Sequence, residues 1–153
     1  MYQKILVPVD GSATAALGLE EAIRLAKSHR SKLRLIHVVN DFIALTGLEA
    51  AAVYSEQFVR SAHERGRAIL AQAEEAVRRH GLDAELESIE STGEPAGEAI
   101  VQEARRWPAD LIVLGTHGRR GIRRLVLGSD AEYILRTTPV PVLLVRGPKA
   151  EKG

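Results

Sequence analysis

The chain contains no cysteine, which excludes disulfides, thiolate metal sites and cysteine nucleophiles. It has no excess of either charge: 21 Lys and Arg face 20 Asp and Glu, for a formal net charge of +1. That balance argues against a protein that grips nucleic acid through a general basic surface. No run approaches the ~20 apolar residues of a membrane-spanning helix. The apolar stretch within Met1 to Val9 is too short and too interrupted for a signal peptide. Two common nucleotide signatures are also missing. There is no Gly-x-x-x-x-Gly-Lys-Ser/Thr loop, and the first turn, Asp10-Gly-Ser-Ala-Thr14, is not Gly-x-Gly-x-x-Gly. The expectation from these absences is a soluble, cytoplasmic protein with neither nucleic-acid nor membrane partners.

What is present is ordinary in bulk and informative in order. A length of 153 residues with 45% hydrophobic content suits one domain with one sizeable core. The domain is expected to span residues 1–147, followed by a flexible tail at 148–153. Apolar runs of strand length alternate with stretches of helical period. Ile5 to Val9 reads as a strand buried on both faces. Asp10-Gly-Ser12 breaks it and caps a helix, whose apolar face is Ala15, Leu19, Ala22, Ile23 and Ala26. Leu33 to Val39 is a second strand, and Asn40 to Ala52 reads as a long connection with some helix.

A long helix follows, its face marked by Val59, Ala62, Gly66, Ile69, Ala73 and Val77, and Gly81 stops it. Ala84 to Glu90 alternates but carries Glu85, Glu87 and Glu90, a charge load suited to an edge strand. Gly93-Glu-Pro95 opens a third helix running to about Arg106. Leu111 to Leu114 is the most uniformly apolar strand. Ser129-Asp-Ala-Glu132 reads as a capping box that starts a helix to about Arg136, and Val140 to Val145 is the last strand.

This alternation calls for a parallel sheet with helices on both faces. The two most apolar strands, first and fourth, belong side by side, and the charged third belongs at an edge. Strand order 3-2-1-4-5 meets both conditions with right-handed crossovers. It places the topological switch between the first and fourth strands, where open α/β sheets bind ligands. The loops there are Asp10-Gly-Ser12 and Gly115 to Ser129.

The second loop, Gly-Thr-His-Gly-Arg-Arg-Gly-Ile-Arg-Arg-Leu-Val-Leu-Gly-Ser, is rich in glycine and arginine. Gly115, Gly118 and Gly128 would let backbone approach a ligand closely. Gly128-Ser129 stands at a helix start, where free N–H groups and the dipole favour an anion. Of Arg119, Arg120, Arg123 and Arg124, Arg119 is best placed for a phosphate contact, while Arg120 and Arg124 read as solvated surface. Pro8 lacks a ladder donor but stands near its strand's carboxyl end, where the unbonded edge can face a flat ring. Asp10 can cap a helix and accept from a ribose hydroxyl or an adenine amine. A phosphoacceptor receiver domain would want an acidic pair after the first strand. It would also want an aspartate ending the third, which here ends Ile89-Glu-Ser.

Along nearly its whole length the chain resembles the universal stress protein family. The matching segments are Ile5-Leu-Val-Pro-Val-Asp-Gly-Ser12, Ile36-His-Val-Val39 and Pro139-Val-Pro-Val-Leu-Leu-Val-Arg146. The most specific is Gly115-x-x-Gly118, nine residues, then Gly128-Ser129, the spacing of the family's ATP-binding members. The resemblance implies a Rossmann-like fold of the adenine nucleotide alpha-hydrolase type. It implies adenine near Pro8, Val9, Asp10 and the backbone of Val38. Ribose and phosphates would lie on Gly115, Gly118, Gly128 and Ser129, with Ser12, Thr116 and Arg119 alongside. A divalent ion, magnesium or manganese, would ride on the phosphates rather than on protein ligands.

Asp130 departs from the small or aliphatic residue usual at its position, and a carboxylate turned inward there would repel phosphate. The resemblance also implies a homodimer through Val140–Val145, a strand apolar on both faces and left at a sheet edge. The expected function is ATP-dependent sensing or regulation in stress response. The alternatives are a slow ATPase using the same loop, although no residue announces itself as a catalytic base, and a dimeric interaction module that no longer binds nucleotide.

Overall fold

A computed structural model describes residues 2–40, 56–91, 93–116 and 127–146. The elements run β1 (Lys4–Pro8), α1 (Ala13–His29), β2 (Lys32–Asn40), α2 (Glu56–Arg79), β3 (Ala84–Ser91), α3 (Ala96–Arg106), β4 (Leu111–Gly115), α4 (Ser129–Thr137) and β5 (Val142–Val145). The sheet order is β3-β2-β1-β4-β5 with every pair parallel, as the apolar ranking of the strands requires. The connection expected at 40–52 falls mostly outside the described residues, as does the tail expected at 148–153.

Each central strand contributes alternate residues to two cores. Ile5, Val7, Leu33, Leu35, Leu111 and Val113 pack under α1 and α2 against Leu19, Ile23, Leu70 and Val77. On the opposite face Leu6, Ile36, Ile112 and Leu114 pack under α3 and α4 against Ile100, Val101, Trp107 and Ile134. The apolar face assigned to α1 is buried residue for residue, with Gly18 added. In α2 the more deeply buried residue is Leu70, with Ile69 beside it only partly covered.

Helix ends follow local chemistry. Ser12 caps α1 by accepting from Ala15 N at 3.1 Å. α2 closes through Gly81 at φ +72, with Gly81 N donating to Arg78 O and Leu82 N to Val77 O. α1 ends the same way on Arg30 at φ 57, a conformation that costs a non-glycine residue energy. Pro95 is the N-cap of α3, one position before the helix proper.

Strand ends shift from expectation by a residue, β1 to Lys4–Pro8, β2 to Lys32–Asn40 and β3 to Ala84–Ser91, and two further boundaries differ for a local reason. β5 begins at Val142, because Thr138 and Val140 first bond each other through the threonine hydroxyl. At α4 the N-cap is Gly128, and Ser129 already has its place inside the helix, so the capping box does not form.

An ionic network centred on one buried carboxylate lies at the amino-terminal side of the second core. Glu103 of α3 is only 3% exposed and accepts from Arg34 Nη1 at 2.6 Å and from Arg106 Nε at 2.7 Å. Arg34 also pairs with Glu85, its register partner on β3, and Arg106 with Glu87 at 3.0 Å. The Arg34 guanidinium lies 4.8 Å from the Trp107 ring centre, and Lys4 Nζ 5.3 Å from it. Burial alone would lower the Arg34 pKa, but hydrogen bonds and attraction from Glu85 and Glu103 hold it above its ordinary value. The Arg34 hydrogen bond in turn holds Glu85 below the ordinary carboxylate value.

Candidate functional site

The sheet opens at its carboxyl end between β1 and β4. Pairing between these strands is recorded at Ile5↔Leu111 and Leu6↔Ile112. β1 continues against β2 to Pro8↔Ile36, and β4 continues against β5 to Gly115↔Val145. The two strands therefore part while each still follows its outer neighbour. Val9 N donates to Ile36 O at 2.8 Å on the β2 side. Backbone groups alternate sides along a strand, so the Pro8 nitrogen one residue earlier faces β4. A residue without an N–H thus occupies the position where the ladder has ended, and no bond to β4 is forgone.

The first loop is built by short-range bonds. Ser12 N donates to Asp10 Oδ1 at 2.9 Å, and the Ser12 and Thr14 hydroxyls lie 3.3 Å apart. Gly11, which sequence reasoning passed over, takes φ +80, and that left-handed turn is what swings Ser12 onto the start of α1. Val9 is buried, and its carbonyl accepts from His37 Nδ1 at 2.8 Å. Gly66 makes room for that histidine, since a Cβ there would lie 2.8 Å from His37 Cδ2. Val38, on the α3 side of β2, is partly buried against the second core.

The ends of the second loop meet. Thr116 is 6% exposed. Its N–H donates to Val145 O at 3.0 Å, and its carbonyl accepts from Gly128 N at 3.3 Å. Gly115 and Gly128 are thereby held on either side of one buried residue. Gly118 and Arg119, together with His117 and the other loop arginines, lie outside the described residues.

The two described glycines have different reasons for being glycine. A Cβ on Gly115 would stand 2.5 Å from Thr14 C and nearer still to the Thr14 carbonyl oxygen, so the residue lets α1 lie directly against β4. Gly128 has φ −60 and ψ 151, open to any residue, and its nearest contact for a Cβ would be Thr116 O at 3.8 Å. Packing among the described residues does not require glycine there. Ser129 is exposed in the first turn of α4, and Gly128 brings no side chain to cap that helix.

Asp130 does not turn both carboxylate oxygens toward the crevice: Oδ1 accepts from Gly97 N at 2.9 Å, in the first turn of α3. Sequence reasoning had no signal for that partner, 33 residues away. A shallow groove of about 340 Å³ lies elsewhere, between β3 and α3. Of its three carboxylates, Glu87 and Glu103 are already paired with arginine, and Glu90 lies 3.6 Å from His63 Nε2.

An open parallel sheet whose central strands part before the starts of two helices defines a doubly wound α/β protein with its crevice at the switch point. The chain belongs to the universal stress protein family, whose model matches residues 1–146. It is 36% identical over 151 residues to a universal stress protein of Methanocaldococcus jannaschii, covering 99% of this chain and 86% of that one. Among solved structures it is similar to universal stress protein UspA from Lactobacillus plantarum, with 28% identity, a TM-score of 0.78 and 95% and 98% of the two chains covered. It is also similar to a universal stress protein solved in complex with cAMP, with 26% identity, a TM-score of 0.68 and 94% and 97% covered. Among the described residues no helix is long and apolar enough to cross a membrane.

Proposed function

We propose that the chain binds an adenine nucleotide in the crevice between β1 and β4 and acts as a nucleotide-dependent homodimeric regulator in stress response. The observation that carries this reading is Gly128. It is a glycine that neither backbone angle nor described packing demands, held beside Thr116 at the start of a helix with no side-chain cap of its own. A phosphate approaching the α4 amides would use the space that a side chain at 128 would fill. The cAMP complex of a relative supports the adenine class of ligand.

Adenine would rest by Pro8, Val9, Asp10 and the backbone of Val38, with Ser12 alongside the ribose and phosphates. Gly115, Thr116, Gly128 and Ser129 would meet the phosphates, and Gly118 and Arg119 would complete that end of the site. The favoured ligand is ATP, carrying magnesium or manganese on its phosphates. The dimer would form through the β5 edge, where Leu143 and Val145 pack toward one core and Val142 and Leu144 toward the other.

Calorimetric titration with ATP and magnesium tests the first claim. Micromolar affinity, about −8 kcal/mol, would raise the melting temperature by roughly 5–10 °C at a hundredfold excess over Kd. Absence of both heat and stabilisation up to millimolar ATP would refute it. Light scattering tests the second claim, and a monomeric mass at working concentration would overturn the dimer.

A further inference from the structure

The first turns of α3 and α4 are locked together by two complementary features. Asp130 Oδ1 accepts from Gly97 N at 2.9 Å, giving α3 the side-chain cap that its own N-cap, Pro95, cannot supply. Gly97 in turn allows the approach: a Cβ there would stand 2.8 Å from Asp130 O, 3.2 Å from Asp130 Cα and 3.1 Å from Tyr133 Cβ. The contact is backbone against backbone, and α4 has no room to slide toward α3. Beneath it, Ala131 and Ile134 of α4 are buried with Ile100 and Ala104 of α3. On the sheet side, Gly128 N is held to Thr116 O. The start of α4 is therefore held from two directions, by Thr116 at Gly128 and by Gly97 at Asp130.

We infer that Asp130 is a positioning residue for the ligand site: by binding Gly97 N it fixes the orientation in which α4 presents its first-turn amides to the crevice. The inference rests on the nucleotide reading above. The carboxylate acts through α3 and not by touching the ligand. An acidic residue is compatible with a phosphate-binding helix start because its Oδ1 is engaged by a neighbouring amide.

Three variants test it: Asp130→Ala, Asp130→Asn and Gly97→Ala, each titrated with AMP and with ATP–magnesium well below its melting temperature. Removing the acceptor in Asp130→Ala is expected to weaken both nucleotides about fivefold, the worth of one helix cap. Asp130→Asn keeps an Oδ1 acceptor and is expected to restore affinity to within about twofold of wild type. Gly97→Ala, which pushes the two backbones apart, is expected to weaken both nucleotides as Asp130→Ala does.

A charge role gives the opposite pattern, with Ala and Asn both strengthening ATP more than AMP, and would overturn the inference. Unchanged affinity in Asp130→Ala despite a lower melting temperature would also overturn it, reducing the residue to a structural cap. Amide hydrogen exchange at residue 97, whose N–H Asp130 binds, and at Glu132, the first α4 amide bonded within its helix, supplies a readout that needs no nucleotide. Faster exchange in Asp130→Ala and Gly97→Ala but not in Asp130→Asn is expected. If that pattern appears while wild type binds no nucleotide, the nucleotide reading has failed and the lock between helices stands. If exchange is unchanged, the lock itself is refuted.

Discussion

Alanine at Gly115 and alanine at Gly128 are expected to fail in different ways. At Gly115 the added carbon would lie 2.5 Å from Thr14 C, about 1 Å inside normal carbon–carbon contact. Neither side can yield cheaply. Thr14 belongs to α1, anchored by Leu19, Ala22 and Ile23, and Gly115 is paired in register with Val145. Overpacking of this kind costs about 1–3 kcal/mol, and a clash between two backbones belongs at the upper end. About 3 kcal/mol corresponds to a fall of roughly 6–12 °C in a domain of this size.

At Gly128 the added carbon meets Thr116 O at 3.8 Å, and the backbone angles suit alanine. Stability should fall by no more than about 1 kcal/mol, the preference of an N-cap position for glycine over alanine. Nucleotide affinity should nevertheless drop about tenfold or more as the methyl group enters the phosphate's approach, equivalent to about 1.4 kcal/mol. Thermal melting monitored by circular dichroism, with and without ATP–magnesium, separates the two. If Gly115→Ala melts with wild type, the close crossing of α1 over β4 is not what requires glycine. If Gly128→Ala keeps its affinity, Gly128 is not where a ligand approaches.

Further expectations concern stability. Glu103→Ala strips the buried acceptor from both Arg34 and Arg106, and because each keeps a second carboxylate the loss should be about 2–3 kcal/mol in urea unfolding. The Glu85 pKa is depressed in the folded state, mainly by its hydrogen bond from Arg34, so its contribution is complete above the ordinary value of 4.5 and lost as pH falls through the lower folded value. The stability difference between wild type and Arg34→Met, measured by denaturant titration from pH 6 to pH 3, should therefore narrow below about 4.5; a widening gap would contradict the assignment. Arg30→Gly relieves a left-handed residue at the end of α1 and should raise stability by about 1 kcal/mol, visible as a higher urea midpoint at unchanged slope.

Features with short-range causes were legible in the sequence. The apolar face of α1, its Ser12 cap and the Gly81 stop each depend on residues within a few positions, and strand order followed from ranking strands by charge. Other features depended on what lies across the fold. Gly115 reads as a loop glycine, yet its constraint comes from Thr14, on a helix that crosses it. Asp130 reads as an acid facing a phosphate, yet its partner is an amide on α3. Ser129 reads as a cap, but Gly128 takes that position and the serine falls one residue into the helix.

The ionic network did leave a trace that went unread. Arg34 interrupts Leu33 and Leu35 in a strand covered on both faces. Glu103 stands three residues from Ile100 and four from Trp107, on the apolar side of its helix. A charge in each of two buried stripes is a reason to look for a partnership between them.

Thr116 spends its two backbone groups on opposite neighbours, one on the end of the edge strand and the other on the residue that starts α4. Two consecutive peptide planes thus join the margin of the sheet to the mouth of the crevice. A displacement of Val145 must either drag Gly128 with it or break one of these bonds. If a second copy docks on that margin, subunit contact and ligand occupancy would bias the same hinge. Linkage then requires each to alter the affinity of the other by the same factor.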